Sequence, residues 1–118
     1  HFLGNVTDTQ AVYSASDIAV LSSLYGEGTP NAPAEAMACG TPCVVTELGD
    51  GPFVVGDTGQ TAPPGDAQAL SAAIGHLLHR VRSEPDLRHR ARTRIEEELS
   101  VSKLIADTEA ALERALEK

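Results

Sequence analysis

Glu27 and Glu35 are separated by seven residues in the stretch LYGEGTPNAPAEAMACGTPCVV, Leu24 to Val45. The first lies among glycine, threonine, proline and asparagine; the second lies just inside an alanine-rich, helix-like run. An ionised carboxylate only accepts hydrogen bonds, and it can accept two at once. That suits the neighbouring hydroxyls of a sugar or a ribose. Between the two acids a helix begins, and its unpaired N–H groups at the positive end of the helix dipole suit a phosphate. Pro30 and Pro33 have no N–H to give, so the donors are the amides of Thr29, Asn31, Ala32 and Ala34. Two diol-binding acids around a phosphate-binding helix tip reproduce the order ribose, phosphates, sugar of a nucleoside diphosphate sugar. A plainer reading stands beside this one. Glutamate near a helix N-terminus is stabilising by about 0.3–1 kcal/mol with no ligand at all, and two glutamates at this spacing are common.

The elements that hold these residues follow from pattern. Leu3 ends a strand that Gly4 stops, and TDTQ, Thr7 to Gln10, has the form of a capping box opening a short helix to about Ala15. Ile18 to Leu21 is a short apolar run without alternation, as in a strand buried on both faces. The loop Leu24 to Asn31 leads into a helix from about Ala32 to Cys39, closed by Gly40 with Pro42 beyond. Cys43 to Thr46 reads as a second buried strand, Gly49 to Gly59 as an irregular connection, and Gln60 to Ala62 as a short strand. Asp66 caps a helix to about Val81 with Leu70, Ile74, Leu77 and Leu78 on one face. Two helices follow. One runs from Ser83 and Pro85 to about Leu99, with Leu87, Ala91 and Ile95 as its stripe. The other is capped by Ser100, with Leu104, Ile105, Thr108, Ala111, Leu112 and Ala115 spaced for burial. Strands alternating with helices give an α/β fold with a parallel sheet.

Composition narrows the function classes. A chain of 118 residues fits one domain, and its 42% apolar content is enough for one core. A net charge of −8 argues against nucleic acid and against an anionic membrane surface as partners. No long apolar run and no leader-like N-terminus are present, so the expectation is a soluble, cytoplasmic chain. Cys39 and Cys43 read as small buried residues, and their spacing to His76 and His79 matches no zinc ribbon or finger. The arginines from Arg88 to Arg94 read as a solvated helix face, with phosphate binding as the alternative. Asp17, Asp50 and Asp57 read as turn or cap residues. Tyr13 and Tyr25 read as packing or rim residues.

GEGTPNAPAEAMACGTPCVVTELGDGPFVVGDTGQTAPPGD resembles the nucleotide-sugar-binding half of the family 4 retaining glycosyltransferases of the GT-B fold. The resemblance rests on Glu27 and Glu35 in a Glu-x7-Glu motif, and on EAMACGTPCVVT, VGDTGQ and PPGDAQAL. FLGNV and YSASDIAVLSS support it upstream. It covers Phe2 to about Leu78 and thins out in the last two helices.

The resemblance implies a partial doubly wound, Rossmann-like parallel sheet of three to four strands. Helices cover both faces, and two more follow at the C-terminus. It implies that residues 1–82 belong to a donor-binding domain on which helices in residues 83–118 pack. Glu27, the expected catalytic-site residue, contacts hydroxyls of the transferred sugar, and Glu35 binds the ribose. Gly28, Thr29, Asn31 and Ala32 contact sugar and phosphate through amides, and Asn5 and Val6 lie near the base. No metal and no cofactor are implied beyond the donor itself. The implied partners are a nucleotide-sugar and an upstream acceptor-binding domain, with the full-length enzyme at a membrane surface and no nucleic acid. Two departures stand out. Ala32 to Ala34 replace bulky aliphatics, with Pro33 removing an amide, and the Arg/Lys pair that neutralises the diphosphate is absent. The chain therefore reads as the C-terminal piece of a longer enzyme that alone binds donor weakly and turns over little. The alternative is a non-catalytic half-Rossmann module that only packs against a partner.

Overall fold

The structure, a computed structural model, describes residues 1–117. Helix α1 (Thr9–Ala15) precedes strand β1 (Ala19–Leu21), helix α2 (Asn31–Ala38) and strand β2 (Cys43–Thr46). Helix α3 (Gly51–Val55) runs into a 3-10 turn, Gly56–Thr58, and then strand β3 (Gln60–Ala62). Helices α4 (Ala67–Ser83), α5 (Leu87–Glu98) and α6 (Val101–Leu116) complete the chain. The three strands form one parallel sheet in the order β1-β2-β3, with Val44 opposite Val20 on one side and Gln60 on the other. This is the expected α/β architecture.

β2 is buried at all four positions. Successive side chains of a strand point to opposite faces, and β2 divides the core accordingly. Cys43 and Val45 pack with Ala36 and Met37 of α2, Val54 and Val55 of α3, and Ala91 and Ile95 of α5. Val44 packs on the other face with Ala62 of β3, Ala73 and Leu77 of α4, and Leu87. The stripe Leu87, Ala91 and Ile95 thus spans both clusters, its first residue in one and its last two in the other. The buried hydroxyls of Thr41, Thr46 and Thr58 donate to the carbonyls of Tyr13, Ser23 and Val55 at 2.6, 2.7 and 2.9 Å.

Several expectations change. His1 to Leu3 form no strand, and Phe2 and Leu3 are exposed; a strand needs a neighbour to pair with, and among the described residues β1 pairs only with β2. The cap of α1 is Asp8, whose carboxylate accepts from the Ala11 N–H at 3.0 Å, one residue later than the Thr7 capping box. β1 is an edge strand, and Val20 is 44% exposed rather than buried, because α4 packs over β3 and β2 instead. The connection Gly49 to Gly59 contains α3, too short at five residues to show periodicity. α4 runs two residues past Val81, and α5 begins at Leu87, after Pro85, with Asp86 at its N-cap. Ser100 does cap α6, accepting from the Lys103 N–H at 3.2 Å. The α6 stripe is not buried, however: no other described element covers Leu104, Ile105 and Leu112. Among the described residues no helix is long and apolar enough to cross a membrane.

The α5 arginines are ties more than a wet face. Arg88 donates to the carbonyls of Ser16 and Gly40 at 3.2 and 3.4 Å and to Asp17 at 3.2 Å. Arg94 donates to the carbonyls of Val54, at 3.0 Å, and Phe53, and lies 5.4 Å over the Phe53 ring. Among the described residues Arg92 pairs only with Glu96, one turn along its own helix, at 2.8 Å. Arg88→Ala should therefore lower the unfolding free energy by about 1–3 kcal/mol, read from urea denaturation. Arg88→Lys should recover only part, since one ammonium cannot reproduce the planar fork. Arg92→Ala should stay within about 0.5 kcal/mol. Equal losses for Arg88→Ala and Arg92→Ala would show that α5 is held by its apolar stripe alone.

Burial pushes the Cys43 thiol up from 9.0 to about 12. The unfolded chain releases this proton first. The thiol's contribution is thus complete below about pH 9 and is lost as pH rises from 9 toward 12, by at most about 1.4 kcal/mol per pH unit. Cys43→Ala should flatten the fall in stability measured by denaturant titration between pH 8.5 and 10.5; an unchanged slope would contradict this.

Candidate functional site

In open parallel sheets, ligands gather beyond the carboxyl ends of the strands. Two loops meet there. One follows β1 and leads to the start of α2; the other follows β2 and leads to α3. Thr46, the last residue of β2, donates its hydroxyl to the Ser23 carbonyl at 2.7 Å and ties the two loops at their base. The Ser23 hydroxyl donates in turn to the Glu27 carboxylate. Further out, the Asp50 N–H donates to the Gly28 carbonyl at 2.9 Å, and the Thr29 hydroxyl donates to the Asp50 carboxylate at 2.5 Å.

Glu27 is half-buried, while Gly28, Thr29, Asn31 and Ala32 are exposed around the first turn of α2. Pro30 is the N-cap and has no side-chain hydrogen bond to offer, so the first-turn amides keep their donors free of a cap. Pro33 is buried within that turn without breaking the helix, and its carbonyl faces the Cys43 thiol at 3.6 Å. Asn31 is the first helical residue, one earlier than expected.

Glu35 lies one turn further along α2 and is exposed. It lines a groove of about 380 Å³ with Thr9, Gln10, Tyr13 and Ser14 of α1, the end of α2 at Ala38 and Cys39, and Arg92. Burial raises the Tyr13 phenol above its ordinary value, and the Glu35 carboxylate raises it further, with smaller contributions from Cys43 and Cys39. A second hollow, about 350 Å³, lies at the tip of α2. It is lined by Thr29, Asn31 and Ala34 on one side and by Leu99, Lys103 and Leu104 among others on the other. The Lys103 ammonium is held by Asp107 at 2.7 Å.

The two glutamates therefore open onto different surroundings: Glu27 onto the tied loops, Glu35 onto the α1 groove. Asn5 and Val6 lie in the segment before α1, and neither is in the lining of that groove. Tyr13, read from the sequence as a packing or rim residue, is both packing and groove wall. Asp50, read as a turn residue, touches the loop that carries Glu27. Its sequence signal was a glycine on either side, which marks a tight turn but names no partner. Among the described residues no group of three or more His, Cys, Asp or Glu side chains is placed to hold a metal ion. Carboxylates beside free helix-tip amides are equipped to accept from hydroxyls and to donate to an anion.

Known proteins match this chain along most of its length. It is 37% identical over 109 residues to an MMP alpha-(1->4)-mannosyltransferase of Mycolicibacterium hassiacum, a match covering 90% of this chain and 26% of that protein. It is 31% identical over 110 residues to the N-acetyl-alpha-D-glucosaminyl L-malate synthase of Bacillus anthracis, covering 92% of this chain and 29% of that one. The chain thus spans under a third of the length of these relatives. Among solved structures, a sucrose-phosphate synthase from Thermosynechococcus elongatus superimposes with a TM-score of 0.72 at 34% identity, over 89% of this chain and 26% of that one. The model of the glycosyl transferases group 1 family matches residues 1–80. Carrying that match over most of its length, with the fold of such an enzyme, the chain belongs to the group 1 glycosyltransferases.

Proposed function

We propose that this chain is the donor-binding half of a retaining glycosyltransferase, which transfers sugar from a nucleoside diphosphate donor to an acceptor held by a separate N-terminal domain. The observation that carries the reading is the junction at the strand ends, where Glu27 is tied by Ser23 beside the exposed amides of the α2 tip. In this reading Glu27 accepts from hydroxyls of the transferred sugar. The amides of Gly28, Thr29, Asn31 and Ala32 take the diphosphate, and the helix dipole stabilises it as it leaves. Glu35 accepts from the ribose diol, and Asn5 and Val6 approach the base. The chain's own contribution is orientation of the donor, with no metal required. The similarity to a mannosyltransferase and to an N-acetyl-alpha-D-glucosaminyl L-malate synthase supports a sugar-transfer reaction. The enzyme works in the cytoplasm, at a membrane surface when full-length, and this chain alone has little or no turnover.

One observation favours a second reading, a module that binds only a protein partner: the apolar stripe of α6 is exposed. Titration with UDP, GDP and their sugars, followed by amide NMR, separates the two. Shifts confined to residues 4–6 and 27–36 support donor binding. Silence at millimolar ligand favours the module.

Glu35→Gln keeps the shape but replaces an acceptor oxygen with a donor. It should weaken nucleotide binding by about 1–3 kcal/mol, and an unchanged affinity would remove Glu35 from the site. Glu27→Gln should weaken binding of the sugar nucleotide and leave the free nucleotide nearly untouched. The groove geometry itself has a ligand-free check. In a Tyr25→Phe background, ultraviolet titration reports Tyr13 alone, since Tyr13 and Tyr25 are the two tyrosines. Glu35→Gln should lower the Tyr13 pKa yet leave it above 10.0, because burial is the larger cause.

A further inference from the structure

We propose that Asp50 is the positioning residue of the Glu27–Thr29 loop, which its carboxylate holds in place by accepting the Thr29 hydroxyl. The inference rests on the proposed function and deepens it, since this loop carries the residues given to sugar and phosphate.

Burial shapes little of the loop before its end: Glu27 is half-buried, and Pro30 at the start of α2 is buried. Leu24 and Tyr25 are 61% and 84% exposed, and Gly28 and Thr29 are exposed too. Its conformation must therefore come from a few discrete ties. Asp50 supplies two of them at adjacent residues of the loop: its N–H donates to the Gly28 carbonyl at 2.9 Å, and its carboxylate accepts from the Thr29 hydroxyl at 2.5 Å. Gly49 brings the two loops into direct contact. Its φ is +49°, and a Cβ there would lie 2.2 Å from the Gly28 carbonyl oxygen and 2.6 Å from that of Glu27. No other residue fits between the backbones.

The direction in which Asp50 points argues for this role. It occupies the N-cap position of α3, where an aspartate ordinarily accepts from the helix's own first amides. Here the side chain makes no cap hydrogen bond. It is turned away to Thr29, 21 residues back in the sequence. A hydrogen bond to a charged acceptor is among the stronger kinds. It also commits the one Thr29 hydroxyl proton, so Thr29 meets a phosphate with its amide only.

The full chain allows a test without ligand. Backbone ¹⁵N relaxation at residues 27–29 and hydrogen exchange at the residue-50 amide read the tie directly, with urea unfolding as the measure of global stability. Asp50→Ala should lower order at 27–29 and speed exchange at residue 50 by about tenfold, the scale of one charge-assisted hydrogen bond. Asp50→Asn, which keeps a neutral acceptor for Thr29, should restore part of both. In a Thr29→Val background Asp50→Ala should add nothing, as expected when two residues act through one contact. An equally ordered loop in Asp50→Ala overturns the proposal, as does an undiminished effect in the Thr29→Val background. These readouts are independent of donor. A wild-type chain that ignores UDP- and GDP-sugars would count against the proposed function, while the tie would still be decided by the relaxation data.

Discussion

The central strand β2 is paired along both edges and covered on both faces, and this double enclosure arranges most of the molecule. Its backbone groups are used up by β1 and β3, and because both neighbours run parallel to it, the connections must leave and return over the faces of the sheet. Its side chains alternate between those faces, and each Val or Cys needs an apolar cover, worth about 1.5–3 kcal/mol for a fully buried valine-sized side chain. α2, α3 and most of α5 supply the cover for Cys43 and Val45, and α4 with Leu87 supplies it for Val44. Thr46, at the end of the strand, is where this enclosure meets the candidate site. Its hydroxyl is buried and must find a partner, and the partner it finds is the carbonyl of Ser23, at the root of the loop that carries Glu27.

What the sequence disclosed depended on whether the deciding contact was local. CVVT reads as a buried strand because four consecutive apolar or β-branched residues lie between a Gly-Thr-Pro turn and a glycine-rich segment. The stripe of Leu87, Ala91 and Ile95 is visible at a spacing of four despite the arginines between, and all three are buried. α6 has a clearer stripe and is exposed. Periodicity says which face of a helix is apolar, while another element decides whether that face is covered. The same holds for His1 to Leu3, whose strand-like residues lack a strand to pair with, and for Val20, whose exposure follows from edge position. α3 escaped notice because five residues are too few for a period, though Pro52 in its first turn is a start signal.

The candidate site divides along the same line. Glu27 in a loop and Glu35 in the following helix were legible, since glycine, proline and alanine fix those local states. Their surroundings were not. Glu35 faces α1 because of how α1 packs on α2, and Tyr13 becomes a wall of that groove through the same packing. Thr29 and Asp50 meet across 21 residues, and nothing in either neighbourhood announces the other.

Charge supplies the last constraint. The chain carries −8, and a diphosphate adds to it. Four of the arginines are already committed: Arg88 and Arg94 to backbone carbonyls, and Arg80 and Arg90 to Glu84, whose carboxyl they hold below its usual range. Lys103, which lines the hollow at the α2 tip, is paired with Asp107. What remains at the tip is a row of amides and the helix dipole, the dipole alone worth about 0.3–1 kcal/mol for an exposed anion and up to about 2 when partly buried. That is less than one and a half decades in affinity even at its upper limit. On the proposed function, the cations that neutralise the diphosphate in a productive donor complex are supplied by residues other than these committed ones, and the part left to this chain is to orient the donor between Glu27 and Glu35.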